Sequence, residues 1–128
     1  MNGLILTAIV GLGAALGAWL RWGLSIWLNP SFPLVPLGTL VSNLAGGFMM
    51  GVMMVLIERN GSLPPHVRLG IVTGFLGGLT TFSTFSGEAV SLLARSEYFW
   101  GGVLIVGHLA GSLAMTALGI LAVKFIMP

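Results

Sequence analysis

Gly74-Phe75-Leu76-Gly77-Gly78-Leu79-Thr80-Thr81-Phe82-Ser83-Thr84-Phe85-Ser86-Gly87-Glu88 sets four glycines, five hydroxyl side chains and three phenylalanines inside an apolar run. Glycine costs roughly 0.8–1.0 kcal/mol per helix position relative to alanine. The pair Gly77-Gly78 followed by Thr80-Thr81 therefore predicts a helix that breaks near mid-membrane; a glycine kink packed against a neighbouring helix is the alternative. A break frees carbonyls that need partners. Irregular backbone at membrane depth is tolerated only when buried in protein or lining a cavity, and discontinuous helices are where transport proteins hold small cations.

Working outward, polar residues and prolines divide the chain into four apolar stretches near 3–28, 34–57, 67–94 and 98–126. Crossing ~30 Å of hydrocarbon takes roughly 20 helical residues, so four spans use nearly the whole chain. The expected fold is an all-α integral membrane protein, a single four-helix transmembrane domain over residues 1–128. Composition agrees: 56% of residues are hydrophobic and 6% charged, with mean hydropathy +1.05. A soluble domain carries roughly 25% charged residues, which excludes that class. The apolar content excludes disorder, and the absence of cysteine excludes a disulfide-stapled domain. The first apolar stretch has no basic leader and reads as a retained span. Asn29-Pro30-Ser31-Phe32-Pro33 ends the first helix with its prolines, 58–66 is the most polar run, and the short Arg95-Ser96-Glu97 makes the last two helices neighbours.

The sequence pI near 10.0 arises from five Lys/Arg against three Asp/Glu, a net charge of +2. Cations so few and scattered do not make a nucleic-acid surface. Counted by membrane side, Arg59, Arg68 and Lys124 (3) face Arg21 and Arg95 (2). A bias of one leaves two readings: a weakly encoded single topology, or insertion in both orientations, which permits an antiparallel homodimer.

Polar residues inside the apolar runs carry the functional information. Thr39, Asn43, Gly47 and Gly51 recur every fourth residue, as do His108, Ser112 and Thr116, placing hydroxyls, an amide and bare backbone along single helix faces. Gly13, Gly17 and the second-span glycines read as close-packing positions. Asn43 fits structural hydrogen bonding and pore lining equally. Phe82 and Phe85, three residues apart, either pack or turn their positive ring edges to a small anion, with Asn43 and Ser112 adding donors. Several weak neutral donors replace the water of a strongly hydrated anion without trapping it. Glu88 is a candidate gate or proton relay, or an ion-pair partner of Arg95. Arg21 either snorkels to the headgroups or draws anions into a vestibule. His66 and His108 lack the companions of a metal site. The run at 11–17 has GxGxxxG spacing with no strand–helix pattern and is a packing run, and no GxSxG hydrolase motif is present.

The short four-span chain, the near-neutral charge bias, Arg21 in its glycine-rich segment, Asn43, and GxxGGLTTFSTF at 74–85 together resemble the bacterial fluoride channel family, CrcB or Fluc, over essentially the whole chain. The resemblance implies an antiparallel dual-topology homodimer in the inner membrane that passes fluoride passively and excludes chloride. Hydrogen fluoride enters as a neutral acid, dissociates in the cytoplasm, and the trapped anion leaves through the channel. Motif matching implies two pores, with Phe82 and Phe85 presenting ring edges and Asn43 and Ser112 donating hydrogen bonds. The resemblance also implies that Thr39, Ser83 and Thr84 would extend a polar track and that Arg21 would lie at the pore entrance. By the same resemblance, backbone carbonyls of Gly77 and Thr80 from both subunits would hold a structural sodium ion at the dimer centre. The implied partners are fluoride, the lipid bilayer and a second copy of the chain, and no enzymatic reaction is implied.

Three rivals belong to other classes. A small four-helix multidrug exporter needs a first-span carboxylate, where this chain has only Arg21. A structural membrane subunit leaves the polar rows without a reason. Proton-coupled fluoride transport would use Glu88 as relay.

Overall fold

The computed structural model describes residues 1–59, 61 and 63–128. Asn60 and Ser62, in the polar second connection, lie outside them. The described residues form four helical spans long and apolar enough to cross a bilayer: Gly3–Ser31, Leu37–Arg59, Pro65–Ala94 and Tyr98–Ile126. The first opens on Asn2, whose side chain accepts from the Ile5 N–H at 3.0 Å, a capping bond for an orphan donor. It closes in a 3₁₀ turn, Asn29–Ser31. The second span starts at Leu37 rather than 34, because a third proline, Pro36, supplies the carbonyl that accepts from Leu40 N–H. Asn29 Oδ1 reaches across the connection to the Gly38 and Thr39 N–H groups at 2.7 and 3.3 Å, so the end of one helix caps the next.

The third span is not one regular helix. After one α-turn, Pro65–Arg68, the backbone widens into a π-helix over Leu69–Leu76, returns to α geometry at Gly77–Leu79, and resumes as an α-helix over Phe82–Ala94. Between the last two, Thr80 (φ −94°, ψ 155°) and Thr81 (φ −150°, ψ 121°) are extended. Thr81 Oγ1 caps the new helix by accepting from Thr84 N–H at 3.1 Å. The turn into the fourth span is a Schellman closure: Ser96 N–H donates to Leu93 O and Glu97 N–H to Leu92 O, with Ser96 in the left-handed region at φ 59°. Glycine adopts that conformation without the side-chain penalty of about 1–2 kcal/mol. Ser96→Gly is accordingly expected to raise the thermal midpoint of the detergent-solubilised protein, by about 1 kcal/mol of stability.

Bare backbone sets the helix spacing. A Cβ at Gly13 or Gly17 would collide with the carbonyls of Gly70 or Phe75, and one at Gly74 would come within 2.8 Å of Val10 O, so the first and third spans touch backbone to backbone. The second and fourth meet likewise: a Cβ at Gly51 would strike Thr116 O, and one at Gly119 would strike Phe48 O. Helices in lipid gain dispersion contact from such close approach. The buried core is small, with Val35, Phe85, Ala89, Leu92 and Leu104 at its centre and Phe32 and Trp100 meeting edge to face beside it (centroids 5.1 Å). Large apolar side chains instead cover the outside, among them Leu12, Leu16, Trp19 and Trp22 on the first span and Leu109, Leu113, Leu121 and Phe125 on the fourth. An apolar coat over a small core suits hydrocarbon, not water.

Candidate functional site

At the Thr80-Thr81 interruption the helical hydrogen-bond ladder is rerouted. In an unbroken helix Thr81 N–H would donate to Gly77 O, and Thr84 N–H to Thr80 O. Here Thr81 N–H donates to Asn43 Oδ1 at 2.8 Å and Thr84 N–H to Thr81 Oγ1. The Gly77 and Thr80 carbonyls thereby lose their helical partners. Asn43 also donates from Nδ2 to Thr81 O at 2.9 Å, so one amide on the second span holds both backbone groups of Thr81. Its second Nδ2 hydrogen goes to His108 Nδ1, 3.0 Å away on the fourth span. His108 is 3% exposed, lies against the Phe85 ring (centroids 4.7 Å), and has no partner at Nε2.

These groups border a groove of about 520 Å³ between the second, third and fourth spans. Asn43, Phe82, Phe85 and Ser112 line it, as do Gly77 and Thr80. Phe82 is 73% exposed and Phe85 6%; their rings meet edge to face at 5.3 Å and 75°. Thr116 closes the row below Ser112, its hydroxyl donating to Ser112 O at 3.0 Å.

The remaining candidates sit apart from this groove. Thr39, 1% exposed, donates its hydroxyl to Glu88 Oε2 at 2.7 Å, while Glu88 Oε1 is buried without a partner. Glu88 borders a second cavity of about 330 Å³ beside Pro36 and Arg95, yet Arg95 turns its Nε to Ser91 O at 3.4 Å, and no hydrogen bond joins the two side chains. Ser83 and Thr84 are exposed, with their hydroxyls gathered around Thr81 Oγ1. Arg21 donates its Nε to Gly78 O at 3.1 Å, just ahead of the interruption. Arg21→Met removes that partner. The expected cost is about 1–3 kcal/mol for the carbonyl left bare, read as a lower thermal midpoint in detergent.

Sequence reading missed the bonds that join Asn43 to Thr81 and Thr39 to Glu88, and with them the Asn43–His108 contact. Its one signal is the i+4 row His108, Ser112, Thr116, whose members all line the groove.

Four membrane-length helices, one interrupted beside a polar groove, define the class: an all-helical protein built to cross a bilayer. The family description CrcB-like protein, Camphor Resistance (CrcB) matches residues 8–120, and the chain belongs to that family. It is 56% identical over 124 residues to a Nitrosospira multiformis protein named fluoride-specific ion channel FluC, covering 97% of each chain. Relatives with the same name in Thiobacillus denitrificans (50% identical; 91% of this chain, 94% of the relative) and Ralstonia pickettii (53%; 90% and 91%) are similar.

Proposed function

We propose that this chain is a fluoride-selective passive channel of the bacterial inner membrane, not an enzyme, which lets fluoride out of the cytoplasm and so lowers its toxicity. One observation carries the reading: the groove that gathers Asn43, Phe82, Phe85 and Ser112 beside the Thr80-Thr81 interruption. Fluoride is small and strongly hydrated, and its water must be replaced by several weak donors so that it binds and still leaves. Aromatic edges carry positive charge and cannot neutralise the ion. Phe82 and Phe85 offer such edges, Ser112 a hydroxyl, and Asn43 an N–H that must first leave His108. Thr39, Ser83 and Thr84 extend the polar track in this reading, with Arg21 toward the entrance. Glu88 is the candidate gate.

Residues 1–128 then act as a single transmembrane domain, with the interruption near mid-membrane. The channel is an antiparallel dual-topology homodimer with two pores. Two features support the dimer: the basic residues divide 3 to 2 between the membrane sides, and the groove opens on a face where Phe82, Leu109 and Leu113 are exposed. A second copy would close that face. The Gly77 and Thr80 carbonyls, relieved of their helical donors and lining the groove, suit a hard monovalent cation, and they would hold a structural sodium ion at the dimer centre. Bound there, it would supply positive charge that offsets the converging carbonyl dipoles.

Proton-coupled fluoride transport is the second reading, favoured by the unpartnered Glu88 Oε1. Expression in a bacterial strain stripped of its own fluoride exporters tests the function: growth on fluoride is expected to return, and continued sensitivity with protein present in the membrane would contradict it. Fluoride release from vesicles, unchanged when the proton gradient is collapsed, separates channel from coupled transporter.

A further inference from the structure

We infer that His108, neutral and carrying its proton on Nε2, is the positioning residue that holds the Asn43 amide in place at the Thr80-Thr81 interruption. The orientation of that amide follows from groups whose roles cannot change. Thr81 N–H only donates, so the atom it meets at 2.8 Å is Oδ1; Thr81 O only accepts, so the atom it meets at 2.9 Å is Nδ2. The atom 3.0 Å from His108 Nδ1 is therefore the amide nitrogen, which has hydrogens and no lone pair to offer. His108 Nδ1 must accept. A proton there would set two donors against each other, and an imidazolium would do the same. Nε2 has no partner whichever nitrogen carries the proton, so the Nδ1 contact alone selects the tautomer.

The contact completes a chain across three spans, from His108 on the fourth through Asn43 on the second to the Thr81 backbone on the third. Without the imidazole lone pair, one amide N–H in a mostly apolar setting has no acceptor, and rotation of the amide would take the Thr81 bonds with it. The Phe85 ring, its centroid 4.7 Å from that of the imidazole, packs against the same side chain. As part of the proposed pore the inference rests on the channel reading, whereas the tautomer itself does not.

The test uses the full chain in lipid vesicles with ¹⁵N-labelled histidine. The chain has two histidines, so His66→Gln assigns the His108 signals. The expected spectrum has an unprotonated, hydrogen-bonded Nδ1 and a protonated Nε2; a proton on Nδ1, or on both nitrogens, at neutral pH overturns the inference. Fluoride release from vesicles is the second readout. His108→Asn places a carbonyl oxygen where Nδ1 stands and is expected to keep release near wild type. His108→Gln carries its amide at the Nε2 position and is expected to lose about tenfold, one buried hydrogen bond. Equal release by the two variants overturns the positioning role. Wild-type vesicles that pass no fluoride would remove the channel reading and leave the nitrogen spectrum to decide the tautomer.

Discussion

Asn43→Ala is expected to cut fluoride release from vesicles by about ten- to a hundredfold and to lower the thermal midpoint as well. The amide accepts from Thr81 N–H, donates to Thr81 O and donates to His108 Nδ1. Alanine removes all three bonds. Each interior backbone group left without a partner costs about 1–3 kcal/mol, and every 1.4 kcal/mol is about tenfold in an equilibrium. Thr81 then has an inducement to fold back into the helix. That would return its N–H to Gly77 O and close the interruption on which the proposed pore and sodium site depend. A variant with wild-type release and an unchanged midpoint would mean that Asn43 neither holds the interruption nor serves the ion. In the proposed channel Asn43 would be structural partner and pore donor in turn: its Nδ2 hydrogens are committed to Thr81 O and His108 Nδ1 until an ion displaces one of those acceptors.

Replacing both rings, Phe82→Ile with Phe85→Ile, is the other large effect. Isoleucine keeps most of the apolar volume and removes the positive edges. Edge-to-face contacts between aromatic rings are worth roughly 0.5–1.5 kcal/mol, and on that scale loss of two ring edges is expected to slow fluoride release by about tenfold. The single variants should differ. Phe82 is exposed on the groove and makes few demands on the fold, while Phe85 belongs to the buried core and lies against His108. Phe85→Ile is therefore expected to lower the thermal midpoint, and Phe82→Ile to leave it near wild type. Unchanged release by the folded double variant would remove the rings from the account of fluoride recognition.

Local signals carried the four spans into view: long apolar runs, a proline-bearing connection and a three-residue turn are all readable from neighbouring residues. The apolar stretch from 34 does not mark where the second helix starts; the Asn29 cap on the Gly38 and Thr39 N–H groups does. The π-helical stretch over Leu69–Leu76 had no local signature. It lies where Gly70 and Gly74 pass Gly13 of the first span, contacts between residues more than fifty positions apart. The same distance in sequence hid the Asn43–Thr81 and Asn43–His108 bonds, 38 and 65 residues apart, and the Thr39–Glu88 bond across 49. Residue type announced that Asn43 and Glu88 needed partners; only the packing of the spans says which partners they found. Arg21 illustrates the same limit, since its residue type says nothing of the Gly78 carbonyl, 57 positions away, to which its Nε donates.

Release of fluoride and of chloride from vesicles containing the purified chain, followed with ion-selective electrodes while potassium compensates the charge, tests the central claim most directly. The account predicts rapid fluoride release with chloride retained. Release of both anions alike, or of neither from correctly folded protein, would contradict it.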